Sequence, residues 1–200
     1  LGKRAITQGE QEPPFAYLVP PEQHDPIAKY EMLRTLSEGG VELHRAEKSI
    51  KADGVTYPAG TTVILLSQPY RAHAKDLLER QHYPDRRVGG EEGSPERPYD
   101  VTGWTLPLQM GVRTVEVVAP FKANLRVIKP ELPNNSVASS NSGYYLKNKT
   151  NNDVLALNTI LGKGHTAYWS EKSTSASGRS LDPGAIWITA KDGLQADLSG

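Results

Sequence analysis

The amino-acid sequence predicts an α/β protein built of two βαββ repeats, related by a pseudo-twofold axis, with mixed sheets flanked by helices. Amphipathic segments alternate with short runs rich in β-branched residues. The order strand, helix, strand, turn and strand occurs twice, and glycine and proline hold corresponding places in both copies. The boundaries follow from composition: a linker at 1–14, the first repeat with its following helix, loop and strands at 15–128, a linker at 129–142, and a truncated second repeat at 143–200.

The first repeat opens with an apolar run at 15–20, which predicts a strand. Asp25 is a favourable N-cap and Pro26 suits the first helical position, so the sequence predicts a helix that stops at the following glycine pair. The remaining elements are predicted from apolar spacing: strands at 41–46 and 61–66, helices at 69–79 and 100–111, a long surface loop at 80–99 and a strand at 112–118. The apolar run at 61–66 is continuous, which is typical of a strand buried on both faces.

The second repeat reproduces this order after the linker. Its predicted elements are a strand at 143–146, a helix at 151–164 capped by Asn151 or Asn152, a strand at 166–170, and a corner with a strand at 178–189. Gly184 stands at the place that Gly60 holds in the first repeat. Residues 190–200 would begin the helix equivalent to 70–79, so we interpret the chain as a piece of a longer protein.

Composition limits the functions that the chain can have. Lys+Arg and Asp+Glu both count 23, and without a basic stripe there is no electrostatic reason to expect nucleic acid. The absence of cysteine excludes disulfides, thiolate chemistry and cysteine zinc sites. No apolar run approaches the ~20 residues that a membrane span needs.

His44 and Glu47 form an H-x-x-E pair, the spacing with which zinc carboxypeptidases hold two of their metal ligands. His165 is a possible third ligand. On an extended strand, however, residues i and i+3 point to opposite faces and do not readily chelate one ion. In the repeat alignment His44 falls opposite Trp169 and His165 falls opposite Gly40, so neither belongs to a symmetric site. We therefore predict no metal ligands and no catalytic residues in this chain.

Two stretches are candidate binding surfaces. Gln68, Tyr70 and Arg71 follow the strand at 61–66 directly, and ligands in α/β folds bind at the carboxyl ends of strands. The alternative is that Tyr70 packs and Arg71 pairs with a nearby acid. Trp104 stands in an apolar stretch that is either core or a docking surface, since aromatic and methionine residues are enriched at interfaces.

Three long runs, at 16–46, 52–85 and 97–112, resemble the region downstream of the catalytic domain in large bacterial zinc carboxypeptidase-like proteins. The resemblance is clearest over 15–118 and weaker up to 189. It implies a secreted or periplasmic parent protein with an upstream metallocarboxypeptidase domain, often followed by a glutamine-amidotransferase-like domain. The zinc and the catalytic glutamate of that family belong to the upstream domain, and none of its zinc motifs can be placed on this chain.

We therefore expect a non-catalytic accessory domain, without a cofactor of its own, that packs on the upstream catalytic domain or gates its substrate cleft. Whether the parent hydrolyses peptides is a separate question. One alternative is a peptide- or glycan-binding module that uses the corner at 67–71 and the loop at 80–99. The other is an independent metal-dependent hydrolase that uses His44, Glu47 and His165.

Overall fold

The structure is a computed structural model, and it describes residues 2–82, 84–97, 105–134, 136–176, 178–191 and 193–199. The chain divides into two compact units, unit 1 (Leu1–Leu132) and unit 2 (Pro133–Gly200). Within the described residues the fold is mixed α/β, with six helices and several small antiparallel sheets, the largest of five strands. The pseudo-twofold relation of two repeats stays a prediction.

Unit 1 is built on the five-stranded sheet. In chain order its elements are α1 (Gly2–Gln11), β1 (Ala16–Val19), α2 (Pro26–Glu38), β2 (Leu43–Ala46), β3 (Ile50–Ala52), β4 (Val55–Tyr57), β5 (Thr62–Leu65), α3 (Arg71–Leu78), β6 (Arg87–Val88), β7 (Ser94–Pro95), α4 (Leu106–Gln109), β8 (Val115–Val117) and β9 (Leu125–Ile128). The strand order in the sheet is β8-β1-β5-β2-β9, and β3–β4 and β6–β7 form separate two-stranded pairs.

Helix α2 begins where the sequence predicts it. Asp25 is the N-cap, and its Oδ1 accepts hydrogen bonds from Ile27 N at 2.9 Å and Ala28 N at 3.1 Å. Pro26 occupies the first helical position, where its missing N–H leaves no bond unmade. Gly40, with φ of +88°, reverses the chain after the helix. The predicted start of this helix is confirmed.

Strand β5 is the centre of the sheet and is buried on both faces, as predicted. It lies between β1 and β2 and is antiparallel to both. The predicted mixed sheet is therefore wrong: β1 and β2 run in the same direction, but β5 separates them, and every pair of strands in the described residues is antiparallel. The segment between β2 and β5 holds the β3–β4 pair and no helix, so there is no crossover helix of the kind that usually joins parallel strands.

The two faces of this sheet are covered by different elements. The face with Tyr17 and Ile64 packs against the apolar residues of α2 and α3. The opposite face, with Leu18 and Val63, packs under the β3–β4 hairpin. The turn of that hairpin is Asp-Gly with positive φ at both residues, as a tight turn of this type requires.

The turn aspartate, Asp53, also binds the far end of β8. Its Oδ2 accepts from Val118 N at 2.8 Å and its Oδ1 accepts from Ala119 N at 2.9 Å. One carboxylate therefore holds the hairpin against the sheet while its own backbone makes the turn.

Helix α1 lies in the segment that the sequence analysis interpreted as a linker. Its contact with the rest of unit 1 depends on Gly9, where an added Cβ would lie 1.9 Å from the carbonyl oxygen of Leu66. No side chain fits at this position, so the helix approaches the backbone after β5 closely.

Unit 2 is smaller and has a three-stranded sheet. Its elements are β10 (Gly143–Leu146), α5 (Asn151–Gly162), β11 (Ala167–Trp169), β12 (Thr174–Ala176), β13 (Arg179–Leu181), β14 (Ile186–Thr189) and α6 (Leu194–Ser199). The sheet order is β10-β14-β11, and β12–β13 is a hairpin. Its core joins one face of the sheet to both helices, and the fully buried members are Ile160, Ile186, Ile188 and Leu194.

The N-cap of α5 is Thr150, one residue before the predicted caps Asn151 and Asn152. Thr150 Oγ1 accepts from Asp153 N at 3.3 Å, and Asp153 Oδ2 accepts from Thr150 N at 3.1 Å. This reciprocal capping box satisfies two backbone donors, whereas an asparagine cap would satisfy one.

Candidate functional site

Gln68, the first residue predicted to bind a ligand, is bonded within the protein. Its side chain is 4% exposed. Its Nε2 donates to Leu65 O at 2.6 Å and to Glu42 O at 3.2 Å, and its Oε1 accepts from Glu42 N at 2.8 Å. Gln68 therefore extends the bonding between β5 and β2 beyond the last residue of β5. We assign it a structural role.

Tyr70 is half-exposed and packs on the turn that follows α2. Its ring lies against Gly40, where an added Cβ would be 2.7 Å from Tyr70 Cζ. His73, one turn of α3 further on, lies against Gly39 in the same way, with Nε2 2.5 Å from the position of an added Cβ. This contact agrees with the alternative that Tyr70 packs.

Arg71 is 6% exposed, and its Nε has no hydrogen-bond partner. The ion pair with a nearby acid that the sequence analysis considered is not formed with any described residue. The side chain is buried at the first position of α3, and its Nε is left without an acceptor among the described residues.

Tyr17 lies close enough to Arg71 to sense its charge. Its hydroxyl donates to Glu116 Oε2 at 3.3 Å. Burial of the ring, followed by the negative charges of Glu116 and Glu79, raises the pKa of Tyr17 well above its usual value of 10.0, and the Arg71 guanidinium opposes this. The phenol is therefore a hydrogen-bond donor at neutral pH and does not serve as a base.

His44 and Glu47, the H-x-x-E pair, have different partners. His44 Nε2 lies 3.2 Å from Glu42 Oε1, two residues earlier on the same side of the chain. Glu47 follows the end of β2, and its backbone N–H donates to Asn124 O at 3.0 Å. The sequence analysis assumed that His44 lies on an extended strand, and His44 does lie on the strand β2.

His165, the third candidate ligand, belongs to unit 2 and is buried there. Its Nε2 lies 2.8 Å from Asp197 Oδ2. Hydrogen bonds from Lys163 and then His165 lower the pKa of Asp197, so this carboxylate is held in its charged form. Across the described part of the chain, no three His, Asp or Glu side chains are grouped so that they could hold a metal ion.

Trp104, the candidate docking residue, lies outside the described residues, together with residues 98–103. The described part of the predicted helix at 100–111 contains the short helix α4. Leu106 and Met110 pack against the core of unit 1, whereas Leu108 is 70% exposed. This apolar stretch therefore contributes to the core and also presents one leucine to solvent.

Sequence analysis missed an aromatic row in unit 2. Tyr145 and Tyr168 are both paired with Trp187, which places the three rings side by side on one face of the sheet β10-β14-β11. This face is opposite to the one that carries Ile186 and Ile188 to the helices. A groove of about 340 Å³ lies here. The signal in the sequence is that each strand carries aromatic residues, two in β10, two in β11 and one in β14, but only the register shows which of them share a face.

No protein-family model matches the chain, and no significant match was found among curated proteins or solved structures. Among the helices of the described residues, none combines the length and apolarity needed to cross a membrane.

Gln68→Ala should lower the free energy of unfolding by about 2 kcal/mol, because it removes a buried amide with three hydrogen bonds and leaves Glu42 N and O without these partners. Urea denaturation followed by circular dichroism measures this loss. Gln11→Ala, on the exposed surface of α1, is the control and should change stability by less than about 0.5 kcal/mol. Equal effects of the two substitutions would contradict the structural role of Gln68.

Arg71→Met should leave stability unchanged or raise it by about 1 kcal/mol, because methionine keeps the apolar part of the buried side chain and removes a buried Nε–H that has no acceptor among the described residues. The matched control is Lys75→Met on the same helix, which removes an ion pair with Glu79. Thermal unfolding of the three proteins at one pH measures the difference. A loss of 2 kcal/mol or more in Arg71→Met would contradict this account.

Alkaline pH should destabilise unit 1 through Tyr17. Since the pKa of Tyr17 is higher in the folded state than in the unfolded state, its contribution is fully present below pH 10.0 and is lost as pH rises above that value. Tyr17→Phe should cost about 1 kcal/mol at neutral pH through the lost hydrogen bond, and should show a shallower loss of stability above pH 10.0. Parallel stability curves for the two proteins would contradict this account.

Proposed function

We propose that this chain is a non-catalytic accessory region of a secreted or periplasmic zinc carboxypeptidase-like protein. In that role it packs on the upstream catalytic domain or gates its substrate cleft, and the zinc belongs to that domain. The resemblance over 15–118 suggests the parent. One structural observation supports the non-catalytic part: among the described residues, no three His, Asp or Glu side chains are grouped so that they could hold a metal ion. His44 and His165 instead lie against different carboxylates through Nε2, those of Glu42 and Asp197.

Unit 1 offers a surface that suits docking. Leu108 is 70% exposed and is held in place by α4, whose neighbouring apolar residues are packed. A partner can bury this side chain without reordering the helix that carries it, which favours an interface. Within the described residues, the outer edges of β8 and β9 also lack a strand partner.

The geometry gives less support to the alternative binding module at the 67–71 corner. Gln68 uses its amide within the protein, and Arg71 is buried. Tyr70 is the one member of this group with a substantially exposed side chain. A single half-packed ring is a small surface for a ligand.

We also propose that the two units are internal repeats. In each unit the last strand of the motif lies between the first two, in the orders β1-β5-β2 and β10-β14-β11. In unit 1, Gly60 N donates to Ala46 O at 2.8 Å. In unit 2, Gly184 N donates to Ser170 O at 2.7 Å. Both glycines have positive φ, which supports their equivalence.

These bonds shift the repeat alignment of the second strand by one residue. If Ser170 corresponds to Ala46, then Tyr168 corresponds to His44, and not Trp169 as the sequence alignment has it. His165, whose N–H donates to the carbonyl five residues earlier, then corresponds to Val41. Neither histidine aligns with a second histidine or with a carboxylate, so the argument against a symmetric metal site is unchanged.

Docking can be measured with the catalytic domain encoded upstream in the same reading frame, expressed as a separate protein. Isothermal titration calorimetry should show association, and Leu108→Glu should weaken it at least about tenfold by placing a charge in the interface. Leu155→Glu is the matched control, since Leu155 is 63% exposed on a helix of unit 2. Failure of the two proteins to associate, or an equal effect of both substitutions, would contradict docking through α4.

Metal analysis separates this proposal from the hydrolase alternative. After incubation with zinc and gel filtration, the chain should carry no stoichiometric zinc. One equivalent that is lost in His44→Ala would support the metal-dependent hydrolase instead.

A further inference from the structure

The aromatic row gives unit 2 an unusual sheet surface. Tyr145, Trp187 and Tyr168 come from three adjacent strands, so the outer two rings are about 10 Å apart, two strand spacings. Tyr168 is 55% exposed, and the other two rings are half-buried. Large aromatic side chains on an open face are far more exposed here than in a packed core.

The corresponding face of unit 1 is closed. Under the repeat alignment, Leu18 and Val63 stand where Tyr145 and Trp187 stand in unit 2, and both are 0% exposed. The β3–β4 hairpin and the chain between β8 and β9 cover them. The same side of the sheet is thus an aliphatic core in one unit and an accessible aromatic surface in the other.

The chemistry of the groove restricts its ligand. Beside the rings it is lined by the hydroxyl residues Ser170, Thr174 and Ser175, and no Lys, Arg, Asp or Glu is among the described residues that line it. A nucleic acid or an anionic lipid would need cations to balance its phosphates. The side chains and termini of a charged peptide would likewise find no counter-charge. The lining therefore favours a neutral ligand that has apolar faces and hydroxyl edges.

We propose that this groove binds a neutral glycan, a β-1,4-linked chain of pyranose rings that lies across the three strands. Such a chain is flat and extended, and the C–H groups on the ring faces stack on aromatic side chains. Three rings in a straight row match an extended ligand better than a coiled one. The hydroxyls of Thr174 and Ser175 can then bond to the equatorial hydroxyls at the edge of the glycan.

This inference goes beyond the accessory role, and it uses unit 2, whereas the docking proposal uses α4 of unit 1. The two can fail independently. If the chain binds glycan but not the catalytic domain, only this inference stands. If it binds the catalytic domain but not glycan, only the docking proposal stands.

Isothermal titration calorimetry tests the proposal. The full chain is titrated with cellohexaose and, separately, with hexa-N-acetylchitohexaose. At least one of these neutral β-1,4 glycans should bind with saturation. Tyr168→Ala should weaken binding at least about tenfold through the loss of one stacking ring, whereas Tyr168→Phe should retain it. Tyr70→Ala, on the half-exposed tyrosine of unit 1, should leave binding unchanged.

Circular dichroism of each variant establishes that it is folded. Because Tyr168 is exposed, its substitution should change the free energy of unfolding little. Maltohexaose, which is α-linked and coiled, should bind at least about tenfold more weakly than the β-1,4 glycan. The absence of saturable binding to both β-1,4 glycans would overturn the proposal. Wild-type affinity in folded Tyr168→Ala would also overturn it. Loss of binding in Tyr70→Ala would instead assign the site to the corner of unit 1.

Discussion

Unit 1 depends on the placement of β5 between β1 and β2. A central strand buried on both faces must satisfy every backbone donor and acceptor within the protein, because no water reaches it. At its carboxyl end the backbone turns away toward α3, and the Gln68 amide takes over the pairing with Glu42. The corner after β5 is therefore shaped by the bonding needs of the sheet. This explains why residues with the composition of a ligand site are used internally.

The candidate chemical groups of the described residues do not converge on one point. A catalytic site needs titratable groups that converge on one point and have pKa values matched to a reaction. Here Tyr17 is kept protonated by burial and neighbouring carboxylates, and His44 and His165 each bind one acid of their own unit. By contrast, the row of Tyr145, Trp187 and Tyr168 is partly open to solvent, which suits recognition of a ligand.

Sequence reasoning succeeded where the determining contacts are local. The start of α2 follows from Asp25 and Pro26, which act within one helical turn. It failed where partners are distant along the chain. Helix α1 depends on Gly9 meeting the Leu66 carbonyl, and the mixed sheet was excluded by a strand that inserts between two others. The aromatic row was missed for the same reason, since three strands must be aligned in register before Tyr145, Trp187 and Tyr168 are seen to be neighbours.

The carboxylate of Asp53 has a consequence for motion in unit 1. Because it spans from the hairpin turn to the residues that follow β8, the hairpin cannot peel away from the sheet while those residues stay in place. Segments coupled in this way open together, as one cooperative unit, and their amide hydrogens exchange at a shared rate. The β3–β4 hairpin covers Leu18 and Val63. To expose that side of the sheet, the hairpin must move and its bonds to the residues after β8 must break.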